Sequence, residues 1–254
     1  MRTLRIVYTV LVYAFLYLPL AVMVAYSFNA SRFSMAWKGV TLEWYVKLFA
    51  NAGLMQAAWH SLLIAILAAT CSSILGTLTA MALHRWRFPS RKVIHTSLFV
   101  MMMSPDIVIG ISLLVLFMAV SLPLGFWTLL MAHVTLCVPF VAITVYGRLL
   151  GFDPHVVEAA CDLGAGEYEV FRHVVLPLVF PAVLAGWFLS FTLSIDDVII
   201  SFFTTGPTFE VLPLRIYSMV RLGLKPEVNA LCAIMILITV VAVLLSQRFL
   251  KEKQ

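Results

Sequence analysis

Six stretches of this chain are apolar for long enough to cross a bilayer, and that recurrence restricts the fold more than any other feature. They cover about residues 6–28, 58–83, 93–120, 126–147, 178–203 and 228–249. A hydrocarbon core roughly 30 Å thick takes about 20 helical residues to span, and within it each backbone N–H and C=O must be paired inside the protein. No polar block between the runs is large enough to fold alone. The expectation is an all-α integral membrane protein, a single multi-pass domain over residues 1–254 with six transmembrane helices. Hydrophobic residues are 63% of the chain and charged residues 11%, against roughly 45–50% and 25% in soluble domains.

The few charges therefore carry topology. The basic residues are dispersed over the gaps between apolar runs and are not gathered with aromatics on one face, which argues against nucleic acid despite a net charge of +5. Arg85, Arg87, Arg91 and Lys92 crowd into the short segment 84–92, as a cytoplasmic loop does. With both termini cytoplasmic, these four join Arg2, Arg5, Arg148, Arg172, Arg248, Lys251 and Lys253 inside, while Arg32, Lys38, Lys47, Arg215, Arg221 and Lys225 fall outside: eleven against six. The first run is too long for a signal-peptide core and lacks a convincing A-x-A site, so it reads as an uncleaved helix that tolerates Pro19.

Between the first two runs, Leu42, Tyr45, Val46 and Phe49 recur at helical spacing behind a Thr41 cap. That describes a short amphipathic helix at the lipid interface, with Trp44 and Tyr45 in the headgroup belt. Asn29-Ala30-Ser31 matches a glycosylation sequon, but nothing else points to a secretory route. The second run is rich in small residues, including Ala65, Ala68, Ala69, Ser72, Ser73, Gly76, Thr77 and Ala80, and belongs inside a bundle. Cys71, Cys137, Cys161 and Cys232 form no CxxC pair and read as small core residues.

The third run is interrupted at Ser104-Pro105-Asp106, where proline removes a donor and Asp106 can cap the helix that restarts. Residues 121–125 suffice only for a tight turn into the fourth run, which Pro139 can kink.

The longest polar passage runs from Glu158 to Pro177, inside a loop that begins at Asp153. Asp153-Pro154 starts a helix, with Val157, Ala160 and Leu163 on one face and Glu158 and Asp162 on another, and Gly164 ends it. A second short helix, Glu167–Val175, carries acids at its start and Arg172 and His173 at its end, and Pro177 opens the fifth span. On its chemistry alone this helix-glycine-helix docks a partner or lies on its own bundle, and the two readings stand even.

The spacing Glu158-Ala159-Ala160, three residues, Gly164, nine residues, Val174, one residue, Leu176-Pro177 resembles the EAA motif of bacterial ABC importer permeases, with Val174 where isoleucine is usual and with Asp162 and Phe171 as in its longer form. Further segments, Arg32–Ser34, Met101–Phe117, Gly125–His133, Thr144–Asp153, Ser190–Pro207 and Leu212–Ala230, are similar to permease subunits of spermidine/putrescine importers along nearly the whole chain. That resemblance implies a MetI-like core in the bacterial cytoplasmic (inner) membrane. It also implies four kinds of partner: a second homologous permease subunit, two cytoplasmic ATPase subunits, a periplasmic polyamine-binding protein, and membrane lipid. Residues 153–177 would be the coupling loop, with Glu158, Ala159, Ala160, Asp162, Gly164, Leu176 and Pro177 engaging the ATPase.

The chain has no GxxxxGK[ST] loop, so ATP and Mg would be bound by the partner and the chain needs no cofactor of its own. His60, His84, His95, His133, His155 and His173 are scattered, with no metal-ligand or catalytic spacing. Asp106, Asp196 and Asp197 stand inside apolar runs, where an ionised carboxylate costs roughly 2.5–3.5 kcal/mol on the lenient insertion scale and so should face a pathway or a partner. They are the candidate substrate-pathway residues for a polycation. On a continuous helix Asp196 and Asp197 would point about 100° apart. Residues 204–227 read as an external segment that either receives a binding protein or packs as a lid. Other functions compatible with the sequence are an ABC importer of thiamine or ferric ion, a stand-alone secondary transporter, and a membrane hydrolase built on paired acids.

Overall fold

The computed structural model describes residues 2–31, 36–151, 153, 155–221 and 226–251, with the backbone alone at 2–3, 238–239 and 241–251. The charge assignments of Arg2, Arg32, Lys225, Arg248, Lys251 and Lys253, the segment Arg32–Ser34 and the helix-starting role of Pro154 lie outside the described residues and side chains. The helices are α1 (Arg2–Tyr26), α2 (Glu43–Ala50), α3 (Ala52–Arg85), α4 (Arg91–Met103), α5 (Asp106–Ala119), α6 (Phe126–Leu150), α7 (His155–Asp162), α8 (Glu167–Val170), α9 (Leu176–Asp196), α10 (Ile199–Thr204), α11 (Leu212–Arg221) and α12 (Pro226–Lys251). Among the described residues there is no strand, only a bridge between Asn29 and Val40.

Among the described residues, four helices are long and apolar enough to cross a membrane: Leu4–Tyr26, Ala52–Arg85, Phe126–Leu150 and Glu167–Asp196. The expected third span instead forms α4 and α5, bent by 113°. Its cause is local. Ser104 precedes a proline and is extended (ψ 136°), Pro105 stays extended as the N-cap residue of α5, and the helical path can resume only beyond it. Asp106 is thus the first residue of α5 and makes no side-chain cap hydrogen bond, contrary to the capping role expected of it. α12 supplies the last apolar helix, described with side chains mainly to Leu237.

The chain divides into two compact units, residues 57–214 and the pair of segments 1–56 and 215–254. In the second of these, α12 packs on α1 and on α2. Asn29 is fully buried, its carboxamide accepting the Ser31 and Lys38 N–H groups and donating to the Ala36 carbonyl, so the sequon asparagine is a loop organiser. Trp44, expected in the headgroup belt, is buried instead and donates its indole N–H to the Asn29 carbonyl at 2.7 Å. Leu42, Val46 and Phe49 stay exposed, as an interfacial helix requires. From Leu4 to Val22, α1 exposes its entire apolar circumference, which in water would be untenable and which lipid or another subunit must cover.

The unit over residues 57–214 is centred on Val141 of α6. A Cβ at Gly76 would lie 2.6 Å from the Val141 Cβ, and one at Gly186 would lie 3.3 Å from the Val141 Cα, so α3 and α9 both lay glycine against one valine. Ala65, Ala68, Ala69 and Ala80 of α3 are fully buried, which bears out the small-residue reading of that helix. On the other side α5 packs on α10, where Gly110 leaves room for the Phe203 ring.

Candidate functional site

Chemistry concentrates at two places in the 57–214 unit, the polar loop and the break that ends α9.

At the loop, Asp153 accepts the His155 N–H on its side chain at 3.0 Å and starts α7. Gly164 (φ +87°) ends it: the Gly164 N–H bonds the Cys161 carbonyl at 2.9 Å and the Ala165 N–H reaches back to the Ala160 carbonyl at 3.1 Å, a left-handed helix stop that favours glycine. Glu169 then accepts the Gly166 N–H and opens α8, and Glu167 meets Arg85 at the end of α3 at 2.7 Å. The second short helix is not separate. Residues Phe171–Val175 form one wide π turn, closed by the Leu176 N–H on the Phe171 carbonyl, and α9 continues from it. Pro177, lacking an N–H, sits just beyond this turn, and the helix begun at Glu167 runs unbroken to Asp196. The fifth span therefore starts within the polar loop, three turns ahead of its expected place.

α7 presents two faces. Val157 and Ala160 pack, with Phe171 and Val174, against buried Val145, Leu149, Val170 and Val175. Val156, Glu158, Ala159, Asp162 and Leu163 face outward, Leu163 being 90% exposed. The stripe expected to unite Val157, Ala160 and Leu163 is thus split, the first two turned to the protein's own bundle and the third away from it. Leu176 is half-buried and Pro177 exposed.

At the break, Asp197 leaves the helix in extended conformation (ψ 126°), so the two adjacent acids do not share a helical face at all. The Asp197 carboxylate turns back to accept the N–H groups of Ile200 at 3.2 Å and Ser201 at 2.7 Å, capping α10. Beside it lies His133 of α6, 1% exposed, with Nε2 3.5 Å from Asp197 Oδ2 and 3.0 Å from Ser201 Oγ, and Nδ1 2.7 Å from Ser194 Oγ. Asp197 and Ser201 share one imidazole nitrogen and Ser194 holds the other, and with His133 and both serines buried, neither hydroxyl is open to a substrate as a nucleophile would have to be. Asp196 points elsewhere: it is exposed and within Coulombic range of Asp197 and of the exposed Asp106. The three expected acids are therefore brought together, two as open carboxylates and one as a buried cap. His133 escaped sequence reasoning as a partner; its only signal was an ionisable side chain amid some 20 apolar residues, which inside a membrane has to be matched by another polar group.

A scaffold of apolar helices, one of them broken beside acids, with a glycine-stopped helix at its polar end, is what the comparisons with known proteins recover. Residues 72–253 match the family described as the inner membrane component of binding-protein-dependent transport systems. The chain belongs to this family. Among relatives of this inner membrane component, the spermidine/putrescine transport system permease protein PotC of Escherichia coli (strain K12) is 52% identical, over 99% of this chain and 96% of that protein. PotC of Haemophilus influenzae is also 52% identical, over 96% and 95%, and the putrescine transport system permease protein PotI of E. coli is 40% identical, over 91% and 85%. Among solved structures, a bacterial ABC transporter that imports the acidic polysaccharide alginate superposes with a TM-score of 0.75 at 16% identity, covering 98% of this chain and 96% of that one. The MetNI methionine ABC transporter superposes at 0.65 and 15%, over 79% and 96%. At such identities the two structures establish the fold: the chain has the architecture of an ABC importer permease.

Proposed function

We propose that this inner membrane component is the permease subunit of a polyamine importer, carrying spermidine or putrescine inward along a pathway it shares with a second, homologous permease subunit. The observation that carries the reading is 52% identity over 99% of the chain to a spermidine/putrescine permease. The grouping of Asp106 and Asp196 supports it on independent grounds, because a polycation that leaves bulk water needs fixed negative charge along its path. Two open carboxylates can replace part of the water around two ammonium groups, while their small number leaves binding weak enough for release.

ATP is hydrolysed by two cytoplasmic ATPase subunits, and a periplasmic polyamine-binding protein delivers the cargo. Both chain termini then lie in the cytoplasm, as does the loop 153–177. The outward face of α7, with Leu163 and Val156 flanked by Glu158 and Asp162, has the apolar-centre, charged-rim composition of a protein-docking surface, and it is here that the ATPase sits. Ala159 leaves that face flat.

The reading is tested by reconstituting the four-component complex in vesicles and following ATP-driven uptake of labelled spermidine and putrescine, with thiamine and ferric ion as competitors. Saturable polyamine uptake that neither competitor inhibits is expected. Competition by either one, or uptake without an ATPase subunit, would overturn the reading.

A further inference from the structure

We propose that His133 is a positioning residue for the cation site: buried in α6 and touching no substrate, it clamps the break between α9 and α10 and so sets the spacing between the Asp196 and Asp106 carboxylates. This rests on the polyamine reading.

The clamp is built from both sides of the break. Ser194 belongs to the last turn of α9 and bonds Nδ1, while Ser201 belongs to α10 and bonds Nε2. One imidazole thus ties together the two helices that Asp197 separates, and it does so from a third. All of these groups are buried, with Ser201 wholly so, Ser194 at 4% and His133 at 1%. Held within a low-dielectric core, a ring engaged at both nitrogens has a single stable orientation, and so have its partners. α10 carries that constraint onward. Ile200 and Phe203 of α10 lie against Gly110 of α5, close enough for a Cβ there to meet Phe203 at 2.8 Å, and Asp106 stands one turn earlier at the start of α5. The clamp therefore reaches Asp196 along α9, two residues past Ser194, and reaches Asp106 through α10. The ammonium groups of a short diamine and a longer triamine are differently spaced, so the separation of the two acids selects between them.

The test uses Ser194→Ala and Ser201→Ala, each of which removes one arm of the clamp with little change in volume, together with His133→Gln. Uptake of labelled spermidine and putrescine is measured in the reconstituted four-component complex. Each serine variant is expected to raise the polyamine KM, the double variant on the order of tenfold as for loss of an orienting hydrogen bond, with kcat changed by less than KM and the spermidine-to-putrescine preference shifted. The double variant and His133→Gln should agree. Wild-type KM and preference in both serine variants would overturn the proposal, as would equal losses in kcat and KM with the preference intact, which is the mark of a merely structural role. Failure of the wild-type complex to take up either polyamine would instead sink the polyamine reading and this inference with it.

Discussion

Asp197 closes α9 and, in the same conformation, caps α10 by accepting the Ser201 N–H at 2.7 Å. The neighbouring acid, Asp196, has no such duty and is exposed. Two adjacent carboxylates that look equivalent in sequence should therefore fail in different ways. Asp197→Ala removes a cap and leaves the buried Ile200 and Ser201 N–H groups without their acceptor, at a cost of about 1–3 kcal/mol, and should lower the melting temperature of the purified complex as well as uptake. Asp196→Asn should leave the melting temperature within about 2 °C of wild type while polyamine uptake falls. Thermal melts read alongside uptake decide it, and normal transport in Asp196→Asn would remove that acid from the pathway.

The split of α7 into an inner and an outer face separates two alanines of the same motif. Ala159 is exposed, so Ala159→Arg should leave the subunit inserted and folded but reduce co-purification of the ATPase. Ala160 packs with Val145 and Val175, so Ala160→Phe should disturb the seating of the loop and raise its protease sensitivity. Pull-down of the ATPase from both variants checks the assignment, and equal loss in both would mean that the two faces are not distinct.

Gly164 stands in open space, where an added Cβ would meet nothing within 4 Å, yet at φ +87°. Size is not its constraint; handedness is. Gly164→Val should cost about 1–2 kcal/mol locally and Gly164→Asn distinctly less, because asparagine tolerates the left-handed region. The measurement is uptake per ATP hydrolysed, expected to drop in the valine variant and to remain near wild type in the asparagine variant.

Among the described helical glycines, Gly76 leaves the least room for a Cβ, against Val141. Gly76→Ala, with its Cβ placed 2.6 Å from the Val141 Cβ, should destabilise by about 1–3 kcal/mol, and Val141→Ala in the same chain should recover part of that loss. A double-mutant cycle on thermal stability reports the coupling, and strict additivity would show that the helices part to make room.

Much of this molecule could be read before any coordinates, and for an identifiable reason: membrane helices are announced by composition over long windows. The first, second and fourth apolar runs coincide with α1, α3 and α6 to within two turns at every end, and the cap and stop of α7 at Asp153 and Gly164 follow local rules that act over a few residues. What escaped reading depends on contacts between distant segments. Nothing in Leu176-Pro177 signals that a π turn would carry the helix through the proline, since that turn is settled by the packing of Val170, Phe171 and Val175 onto α6. The helical register around Trp44 was visible, but the choice of face was made by the Asn29 carbonyl fifteen residues away. Likewise all three acids stand out in the sequence, but the burial of Asp197 beside His133, more than 60 residues upstream, depends on a contact between distant segments.

The unbroken helix from Glu167 to Asp196 joins places that the sequence presents as separate, a loop and an acid. Its 30 residues make a rod about 45 Å long. Its lower end is tied to α3 through Glu167 and Arg85 and rests against the α7 cradle, and its upper end holds the exposed carboxylate. A tilt of only about 5° at the lower end would sweep the upper end through roughly 4 Å, more than a hydrogen bond's length. The wide turn at Phe171–Val175 and the interior Pro181 are the compliant points along it. Loop and carboxylate are two ends of one lever, and its fulcrum is where α9 leans on Val141.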